Sequence, residues 1–509
     1  MRRNPSALRL RAAVFQPVRR IDPATNEIPM KTSPAQSSVR SSHCGRFETV
    51  LNRRRWLQRA GAGCGTLALS QMLLAEGLLA ESTPEAANPL LPRTTHFPAK
   101  AKAVIWLFME GAPSSVDLFD PKPELTKRDG QKIAIDVFNG NPGPLMKSPF
   151  SFRQYGESGA WVCDRYPHVA KHVDDFAFVK SLHSDSNDHV PALYQINTGV
   201  ARPGFPAAGA WVTYGLGSEN QNLPGFVVLG NNQGVKGGPL NWNSGFLPAA
   251  HQGTLFRSSG SPILNLNRPG EVSSQDQRRQ LDLLAALNQQ HLESHPGEAE
   301  LLGRIQSFEL AYRMQSEAAS MIDFAQETQT TRRMYGLDDA KTQSYGSKCL
   351  LARRLIESGV RFVQVYSDGE WDAHSNLTAN HTDHCQATDR PIDGLLTDLR
   401  QRGLLDSTLV IWGGEFGRMP VSQGKDGRDH NPQGFMAWMT GAGIKGGSSF
   451  GETDEIGYKA VVDPVTVHDL HATLLHLLGI DHKRLTYFHN AREQRLTDVA
   501  GEVLHRILA

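Results

Sequence analysis

The chain has 509 residues and a mass of 56.0 kDa, which fits one large α/β domain with insertions or two to three ordinary domains. Its 53 Lys and Arg residues balance 52 Asp and Glu residues, so no bulk charge favours binding to nucleic acid. With 39% hydrophobic and 21% charged residues, the composition argues against whole-chain disorder and against a protein with many membrane spans.

The first 100 residues are predicted to be a leader, an export signal and a linker. Residues 1–48 are rich in arginine and lack an apolar period, which predicts a disordered leader. Residues 49–80 contain the run NRRRWL followed by a weakly apolar stretch, and they resemble a twin-arginine (Tat) export signal; an amphipathic N-terminal helix is the alternative. Residues 81–100 hold four prolines and are predicted to be a linker. We therefore expect export to the periplasm or beyond, with the Tat translocase as a partner during export.

From residue 101 onward, apolar runs that predict strands alternate with helical patterns. Strands are predicted at 103–108, 176–179, 226–229, 361–366, 409–412 and 435–440, and helices at 343–357, 391–402 and 465–478. Residues 230–270 are predicted to be long surface loops, and leucines at helical spacing predict a helical insertion over 275–327. This alternation predicts one α/β domain over residues 101–509, with a mostly parallel sheet and helices on both faces.

Charged and metal-ligating residue types gather next to these predicted strands. Because the carboxyl ends of parallel strands meet at one edge of a sheet, residues that follow strands are the candidates for a site. In chain order the candidates are Glu110, Asp117, Asp188, His189, Asp372, His374, Glu415, Arg418, Arg428 and His430. Carboxylates and imidazoles that converge are poorly paired unless a cation joins them, so the pattern predicts a divalent metal. Mixed oxygen and nitrogen ligands suit zinc, manganese or iron, whereas carboxylates alone suit calcium or magnesium.

Several of these residues also have a purely structural interpretation. An Asp next to a strand, such as Asp117, is often only a helix cap or a turn former. His381 and His384 follow the Asp372–His374 pair at helical spacing, and the alternative to a ligand role is a position that faces solvent.

Four short stretches carry a resemblance to a known family. They read GAPSSVDLFDPKP (residues 111–123), WDAH (371–374), GGEFGR (413–418) and DHN (429–431). They resemble a bacterial family of Tat-exported, sulfatase-like proteins whose domain has no assigned function, within the alkaline phosphatase/sulfatase superfamily. The resemblance implies an alkaline-phosphatase-like fold in which Asp372, His374, Glu415, His430 and Glu110 bind metal, with Asp117, Arg428 and Asp188 as further candidates.

The nucleophile is where the sequence departs from that superfamily. Its phosphatases use Ser or Thr and its sulfatases use a formylglycine made from Cys or Ser, but here His189 stands at the aligned position. The motif around Cys349 lies in a predicted helix and lacks the small residue that formylglycine formation needs. His189 is therefore a candidate metal ligand, general base or histidine nucleophile, and Arg418 and Arg428 are expected to bind the anionic oxygens.

Two functions follow from these patterns. The first is an exported hydrolase of phosphate or sulfate esters, either small molecules or glycans, that depends on zinc, manganese or calcium and uses His189 and Arg418 in catalysis. The second is a non-catalytic exported binding or surface protein on a degenerate scaffold, which the missing nucleophile favours. The sequence leaves the oligomeric state open.

Overall fold

The structure is a computed structural model that describes residues 90–509, except 139, 231–233, 258–262, 264–265, 267, 269 and 295–298. The predicted leader, the predicted Tat signal and residues 81–89 of the predicted linker lie outside the described residues. Among the described helices, none combines the length and the apolar character that a membrane span requires.

Strands alternate with helices along the described chain. The strands are β1 (Ala103–Phe108), β2 (Phe152–Tyr155), β3 (Ala160–Cys163), β4 (Ala177–His183), β5 (Phe226–Gly230), β6 (Thr254–Arg257), β7 (Phe362–Tyr366), β8 (Thr408–Gly413), β9 (Gly417–Gln423), β10 (Gly427–Asn431), β11 (Phe435–Gly441), β12 (Ser448–Phe450), β13 (Glu452–Thr453), β14 (Ala460–Val462), β15 (Val465–Thr466), β16 (Tyr487–His489) and β17 (Arg492–Gln494). The helices are α1 (Ser115–Leu118), α2 (Pro123–Lys127), α3 (His189–Thr198), α4 (Ala208–Leu216), α5 (Ser274–Ser294), α6 (Ala299–Ile322), α7 (Gln329–Met334), α8 (Gln343–Glu357), α9 (Leu377–Gln401) and α10 (Val467–Leu477). Short 3-10 helices lie at Val169–Asp175, Gly238–Trp242, Ala249–His251, Phe324–Gln326, Leu405–Ser407 and His505–Ile507.

A central sheet of nine strands organises the fold. Its order is β12, β4, β11, β8, β1, β7, β5 and β6, and β15 also pairs with β4. Strand β1 is parallel to both β7 and β8, and β5 is parallel to β7 and β6. Strand β11 is antiparallel to its neighbours β8 and β4, so β4 again runs in the direction of β8. The prediction of an α/β protein with a mostly parallel sheet is confirmed.

Helices cover both faces of this sheet. Successive side chains of a strand point to opposite faces, and in β1 every residue is buried. Ile105 and Leu107 belong to one apolar core with residues of α8 and α9, whereas Val104, Trp106 and Phe108 belong to a second core with residues of α3, α4 and α10. Each large apolar side chain that is fully buried stabilises the fold by about 1.5–3 kcal/mol. The prediction of helices on both faces is therefore also confirmed.

Some predicted segments differ in extent or content from the structure. The predicted helix 391–402 is only the second half of α9, which begins at Leu377 because His381, Cys385 and neighbouring residues form a buried face across the first turns. The loop region 230–270 includes the short strand β6, which extends the sheet at its edge. The helical insertion predicted at 275–327 consists of the two helices α5 and α6 and a 3-10 turn.

Candidate metal centre

The order of the sheet brings the candidate residues to one edge. Strands β1, β7 and β8 lie side by side and parallel, so Glu110, Asp372 and Glu415, which follow them, emerge at the same edge. Strand β4 runs in the same direction, and the chain after it enters α3 at His189. His430 lies in β10, just before the antiparallel strand β11 begins at that edge.

Two glycines permit the close chain approach that this edge requires. Gly111 has a φ of +94°, and a Cβ atom there would lie 2.6 Å from the backbone nitrogen of Trp371 and 2.8 Å from that of Asp372. A Cβ atom at Gly427 would lie 2.0 Å from the backbone oxygen of His374. A larger residue at either position would therefore push the segment 371–374 away from its neighbours.

Four side chains meet at the edge, and we call them the histidine cluster: His189, Asp372, His374 and His430. One ligand atom from each lies within 4.8 Å of the other three. Asp372 Oδ1 lies 3.0 Å from His374 Nε2 and 3.3 Å from His430 Nε2, and these two nitrogens are 2.9 Å apart. Asp372 Oδ2 lies 3.1 Å from His189 Nε2. The same nitrogen of each imidazole is thus directed at one carboxylate.

Protein acceptors determine the tautomers of His430 and His374. The backbone oxygen of Asn187 lies 2.6 Å from His430 Nδ1 and can only accept, so this nitrogen carries the proton. His374 Nδ1 donates in the same way to the side-chain oxygen of Gln423. In the neutral form of each imidazole the Nε2 atom then presents a lone pair, although the two Nε2 atoms face each other and a carboxylate. Such an arrangement is repulsive unless a cation lies between them.

His189 is held by the same kind of contact. Its Nδ1 lies 2.6 Å from Glu415 Oε1, and its buried Nε2 makes no hydrogen bond of good geometry despite its closeness to Asp372. Burial works against the charged imidazole, but Asp372 and Glu415 outweigh it and raise the pKa of His189 to about 9. For His430, burial dominates and lowers the pKa. A proton on His189 is therefore the competitor of any cation at the cluster.

The donor set fits a transition metal. Three neutral imidazole nitrogens and one carboxylate oxygen, each oriented by a second protein group, are the ligands that zinc and manganese sites use. Calcium prefers sites made of oxygens alone, so three nitrogens disfavour it. Of the three metals named in the hydrolase hypothesis, zinc and manganese match these residues better than calcium.

Glu415 and Glu110 lie beside the histidine cluster and do not belong to it. Glu415 Oε1 accepts from the Gly111 backbone at 3.0 Å as well as from His189, while its buried Oε2 has no hydrogen-bond partner among the described residues. Glu110 Oε1 accepts from the Lys236 backbone at 2.6 Å, and burial raises the pKa of Glu110 to about 7. Direct binding of a metal by either glutamate stays a prediction. The contact of Glu415 with His189 Nδ1 orients the imidazole of His189.

Both arginines that were expected to bind anionic oxygens are turned into the protein. The Arg418 guanidinium donates to Asp372 Oδ1 at 2.8 Å and to the backbone oxygens of Gly111, Ala112 and Arg428. The Arg428 guanidinium pairs with a carboxylate, described next, and with two backbone oxygens. Since both side chains are fully buried, they orient protein groups and are not available to an anion in solution.

The two remaining acidic candidates take structural roles. Asp117 Oδ2 and Oδ1 lie 2.7 and 3.1 Å from the Arg428 guanidinium, and Ser114 Oγ donates to the same carboxylate. Although burial works against it, Arg428 lowers the pKa of Asp117. Asp188 is the N-cap of α3 and accepts from the Val190 backbone at 3.1 Å. A helix-cap role for Asp188 and an ion-pair role for Asp117 therefore describe these residues better than metal binding does.

Sequence reasoning missed several residues around the cluster. His381 and His384 do not face solvent: both are buried, and His381 Nε2 accepts from the Ser114 backbone at 3.0 Å. Phe138, which is 37% exposed, stacks on His430 with ring centroids 5.2 Å apart. Gln423 and Asn187 carry no motif, and no spacing in the sequence marks them. Their contacts arise only when the loops and strands of this edge come together.

Comparison with known families decides what the chain is related to. A family model described as "Protein of unknown function (DUF1501)" matches residues 101–508. The chain belongs to the DUF1501 family. Comparison with curated proteins found no match.

Three solved structures are among those similar to this chain. A protein in the alkaline phosphatase superfamily from Vibrio parahaemolyticus is 11% identical, with 82% of this chain and 76% of that chain covered and a TM-score of 0.34. The phosphonate monoester hydrolase SpPMH from Silicibacter pomeroyi is 12% identical, with coverages of 67% and 71% and a TM-score of 0.34. The PsFucS1 sulfatase from Pseudoalteromonas sp. is 14% identical, with coverages of 74% and 68% and a TM-score of 0.32.

Proposed function

We propose that this DUF1501 protein is a metal-dependent hydrolase of phosphate or sulfate esters, either small molecules or glycans. The observation that supports it is the histidine cluster, in which the Nε2 atoms of three imidazoles converge on the Asp372 carboxylate. Such a set has no favourable metal-free arrangement with three neutral imidazoles. The proposed ligands are the four residues of the cluster.

In the proposed reaction, this chain's residues hold and orient the metal ligands. A divalent cation bound at the cluster would act as a Lewis acid on the ester oxygen. Glu415 keeps the His189 imidazole in one tautomer, and Arg418 fixes the Asp372 carboxylate from the buried side. Phe138 covers one face of His430 and limits the approach of water from that side. These contacts pre-organise the ligands, so little rearrangement is needed when the substrate binds.

His189 is proposed as a ligand and not as a nucleophile. Glu415 holds its Nδ1, and its Nε2 lies 3.1 Å from Asp372 Oδ2 within the cluster, so a metal bound there would occupy the nitrogen that an attack on an ester needs. We propose that water is the attacking group, which removes the need for the Ser, Thr or formylglycine that the sequence lacks at this position. A catalytic function and a missing nucleophile are then compatible.

Metal analysis and turnover on one sample test this proposal. We expect the purified protein to hold about one zinc or manganese ion per chain and to hydrolyse an aryl phosphate or an aryl sulfate. Removal of metal with a chelator should abolish turnover, and addition of zinc or manganese should restore it, whereas calcium should not. Protein that binds no added metal and turns over neither substrate contradicts the proposal and favours the non-catalytic alternative.

We also propose that the protein is exported by the Tat route, on the basis of the arginine run in residues 49–80. Replacement of both Arg53 and Arg54 by Lys should retain the protein in the cytoplasm, because the translocase recognises paired arginines. Cell fractionation with wild-type protein as the reference measures this. Equal amounts of both proteins outside the cytoplasm would contradict Tat export and leave the hydrolase proposal intact.

A further inference from the structure

Lys236 places an ammonium group on the solvent-exposed side of the histidine cluster. Its Nζ lies 2.8 Å from Glu370 Oε2 and 3.3 Å from Asp372 Oδ2. The Lys236 side chain is 27% exposed and that of Glu370 is 48% exposed, so solvent reaches this pair. Asp372 belongs to the cluster. A phosphate or sulfate group bound at the proposed metal would therefore lie close enough to contact the ammonium.

The fold fixes the position of Lys236 through its backbone. Its N–H donates to the buried Glu110 carboxylate at 2.6 Å. Its carbonyl oxygen accepts from Asn241 Nδ2 at 2.7 Å, and Asn241, which is fully buried, also donates to the Gly238 oxygen. Buried polar groups on both sides thus determine where the side chain begins. A lysine in an unconstrained surface loop would have no such contacts.

Lys236 is suited to bind an anion where the two arginines are not. The guanidinium groups of Arg418 and Arg428 are fully buried, and they donate to carboxylates and backbone oxygens of the protein itself. An ammonium group has three donors, and the two carboxylate contacts of Lys236 leave one available. Among these three cations next to the cluster, Lys236 is the one that a dissolved oxyanion reaches.

The two carboxylates that contact Lys236 differ in how firmly they are held. Asp372 is fixed by Arg418 and by the histidines of the cluster, so it cannot leave. Glu370 is half exposed, and its contact with Lys236 is of the kind that contributes little in water. An anionic oxygen that arrives at the cluster can therefore take the place of Glu370 on the ammonium.

We propose that Lys236 recognises the anionic group of the substrate and that Glu370 occupies the ammonium until a phosphate or sulfate oxyanion displaces it. This inference rests on the proposed function and makes it more specific. The site would select esters that keep a negative charge on the group that is attacked, and it would disfavour neutral esters. Lys236 is thereby a residue that determines specificity, and Glu370 is its internal competitor.

Binding of inorganic phosphate and sulfate, measured by calorimetry on the full-length protein, tests this inference. Lys236→Met should weaken phosphate binding by ~10–100-fold, because a charged hydrogen bond is lost. Lys236→Arg should keep most of the affinity. Glu370→Gln should tighten phosphate binding by ~2–5-fold, because the competing carboxylate becomes neutral.

Two matched controls separate this effect from a general loss of charge. Lys180 is 23% exposed and lies 3.4 Å from Asp120, so Lys180→Met removes a similar lysine from another place. Glu219 is 49% exposed and lies 2.9 Å from Arg361, which makes Glu219→Gln the counterpart of Glu370→Gln. Neither control should change phosphate affinity.

The metal content of each sample separates this inference from the proposed function. Phosphate affinity that is unchanged in Lys236→Met overturns the inference, whatever the metal content. If Lys236→Met does not fold, unchanged or weaker binding in Glu370→Gln overturns it instead. Wild-type protein that lacks metal but binds phosphate through Lys236 overturns the hydrolase proposal alone.

Discussion

Two groups of buried charge lie near the same edge of the sheet and differ in how their polar atoms are paired. In the ion pair of Asp117 and Arg428, both side chains are fully buried, and the oxygens and nitrogens find partners within the protein. In the histidine cluster, the Nδ1 atoms are paired but the Nε2 atoms face one another and a carboxylate. In the first group each charge is balanced by an opposite charge. In the second group the charges and lone pairs are balanced only when a cation or additional protons are bound.

This difference distinguishes a structural charge from a functional one. Residue type does not, because both groups contain residues that the sequence marks as candidates. A buried pair whose hydrogen bonds are all made is expected to matter for stability and not for ligand binding. A partly buried set whose imidazole nitrogens converge on one carboxylate is expected to show the reverse. Removal of one member from each group tests the distinction.

The largest effect is expected when the cluster loses a ligand. His374→Ala should lower turnover by at least ~10³-fold, because the cation supplies several kcal/mol of transition-state stabilisation. The side chain of His374 is 35% exposed, so the fold should tolerate its loss. Metal content and turnover of an aryl ester are the measurements.

A histidine elsewhere provides the control for that variant. The side chain of His168 is 44% exposed and lies 3.5 Å from Asp393, away from the cluster residues. His168→Ala should retain metal and turnover. Full metal content in His374→Ala would show that this residue is not a ligand.

Asp117→Asn should show the opposite pattern. It leaves the buried Arg428 without its countercharge, and we expect the free energy of unfolding to fall by about 3–5 kcal/mol. The folded fraction should still bind metal, because Asp117 does not belong to the cluster. Unfolding in urea followed in parallel with metal content measures both quantities.

An exposed ion pair gives the scale for this loss. Asp164 lies 2.9 Å from Arg165, and its side chain is 35% exposed. Asp164→Asn should change the free energy of unfolding by less than about 1 kcal/mol. If the folded fraction of Asp117→Asn binds less metal than the folded fraction of the wild type, the two groups act as one site.

The sequence predicted which strands carry the site, because buried apolar runs and the residues after them have a clear pattern. Asp372, His374 and His430 come from such positions, and the structure brings them together with His189. The direction in which a side chain points is not encoded in that pattern. Arg418 and Arg428 look like anion-binding residues in the sequence, yet their guanidinium groups meet backbone oxygens that become available only in the folded chain.

The contacts behind the ligands were harder to predict for a different reason. Gln423 ends β9, and Asn187 contributes only a backbone oxygen, so neither has a residue type that signals a metal site. Lys236 lies in a loop rich in Gly and Asn, where composition predicts only a surface segment. Its importance depends on Glu110 and Asn241, which are 126 and 5 residues away along the chain.

Gln423→Leu tests the contact behind one ligand. The Nδ1 of His374 would lose its acceptor, so its tautomer and ring orientation would no longer be fixed. We expect metal affinity to fall by ~10–100-fold, which is less than the loss of the ligand itself. Competition with a chelator of known affinity measures this. Gln154, which donates to the Gly159 oxygen in another hairpin, supplies the control variant Gln154→Leu.

An unchanged metal affinity in Gln423→Leu would show that the orientation of His374 comes from elsewhere. The contrast between the two charged groups would then be smaller, because the Nδ1 contact would not be what directs the Nε2 atom of His374 towards Asp372. A fall in affinity without a fall in stability would strengthen it.

The smallest effect concerns pH and the histidine that lies behind the ion pair. Burial lowers the pKa of His381 to about 3 from its ordinary 6.5, and its Nε2 accepts from the Ser114 backbone, whose side chain contacts Asp117. Below pH 6.5 the unfolded chain binds a proton that the folded chain refuses until about pH 3. The free energy of unfolding should therefore fall as the pH falls through this window. Between pH 7 and 5.5 the contribution of this one histidine is about 1 kcal/mol.

His381→Gln isolates that contribution, because glutamine does not titrate and keeps an oxygen that can accept from Ser114. Urea unfolding at pH 7 and at pH 5.5 should show a smaller loss of stability in the variant than in the wild type. Equal losses in both proteins would mean that His381 takes up its proton in the folded state without cost. The hydrogen bonds around the ion pair would then not hold His381 in its neutral form. In the histidine cluster the sign is reversed, since Asp372 and Glu415 favour the charged form of His189. Hydrogen bonding is complete around the ion pair, and His381 behind it stays neutral. Hydrogen bonding is incomplete in the histidine cluster, and His189 there attracts a proton. The opposite pKa shifts of these two histidines are the expected consequence.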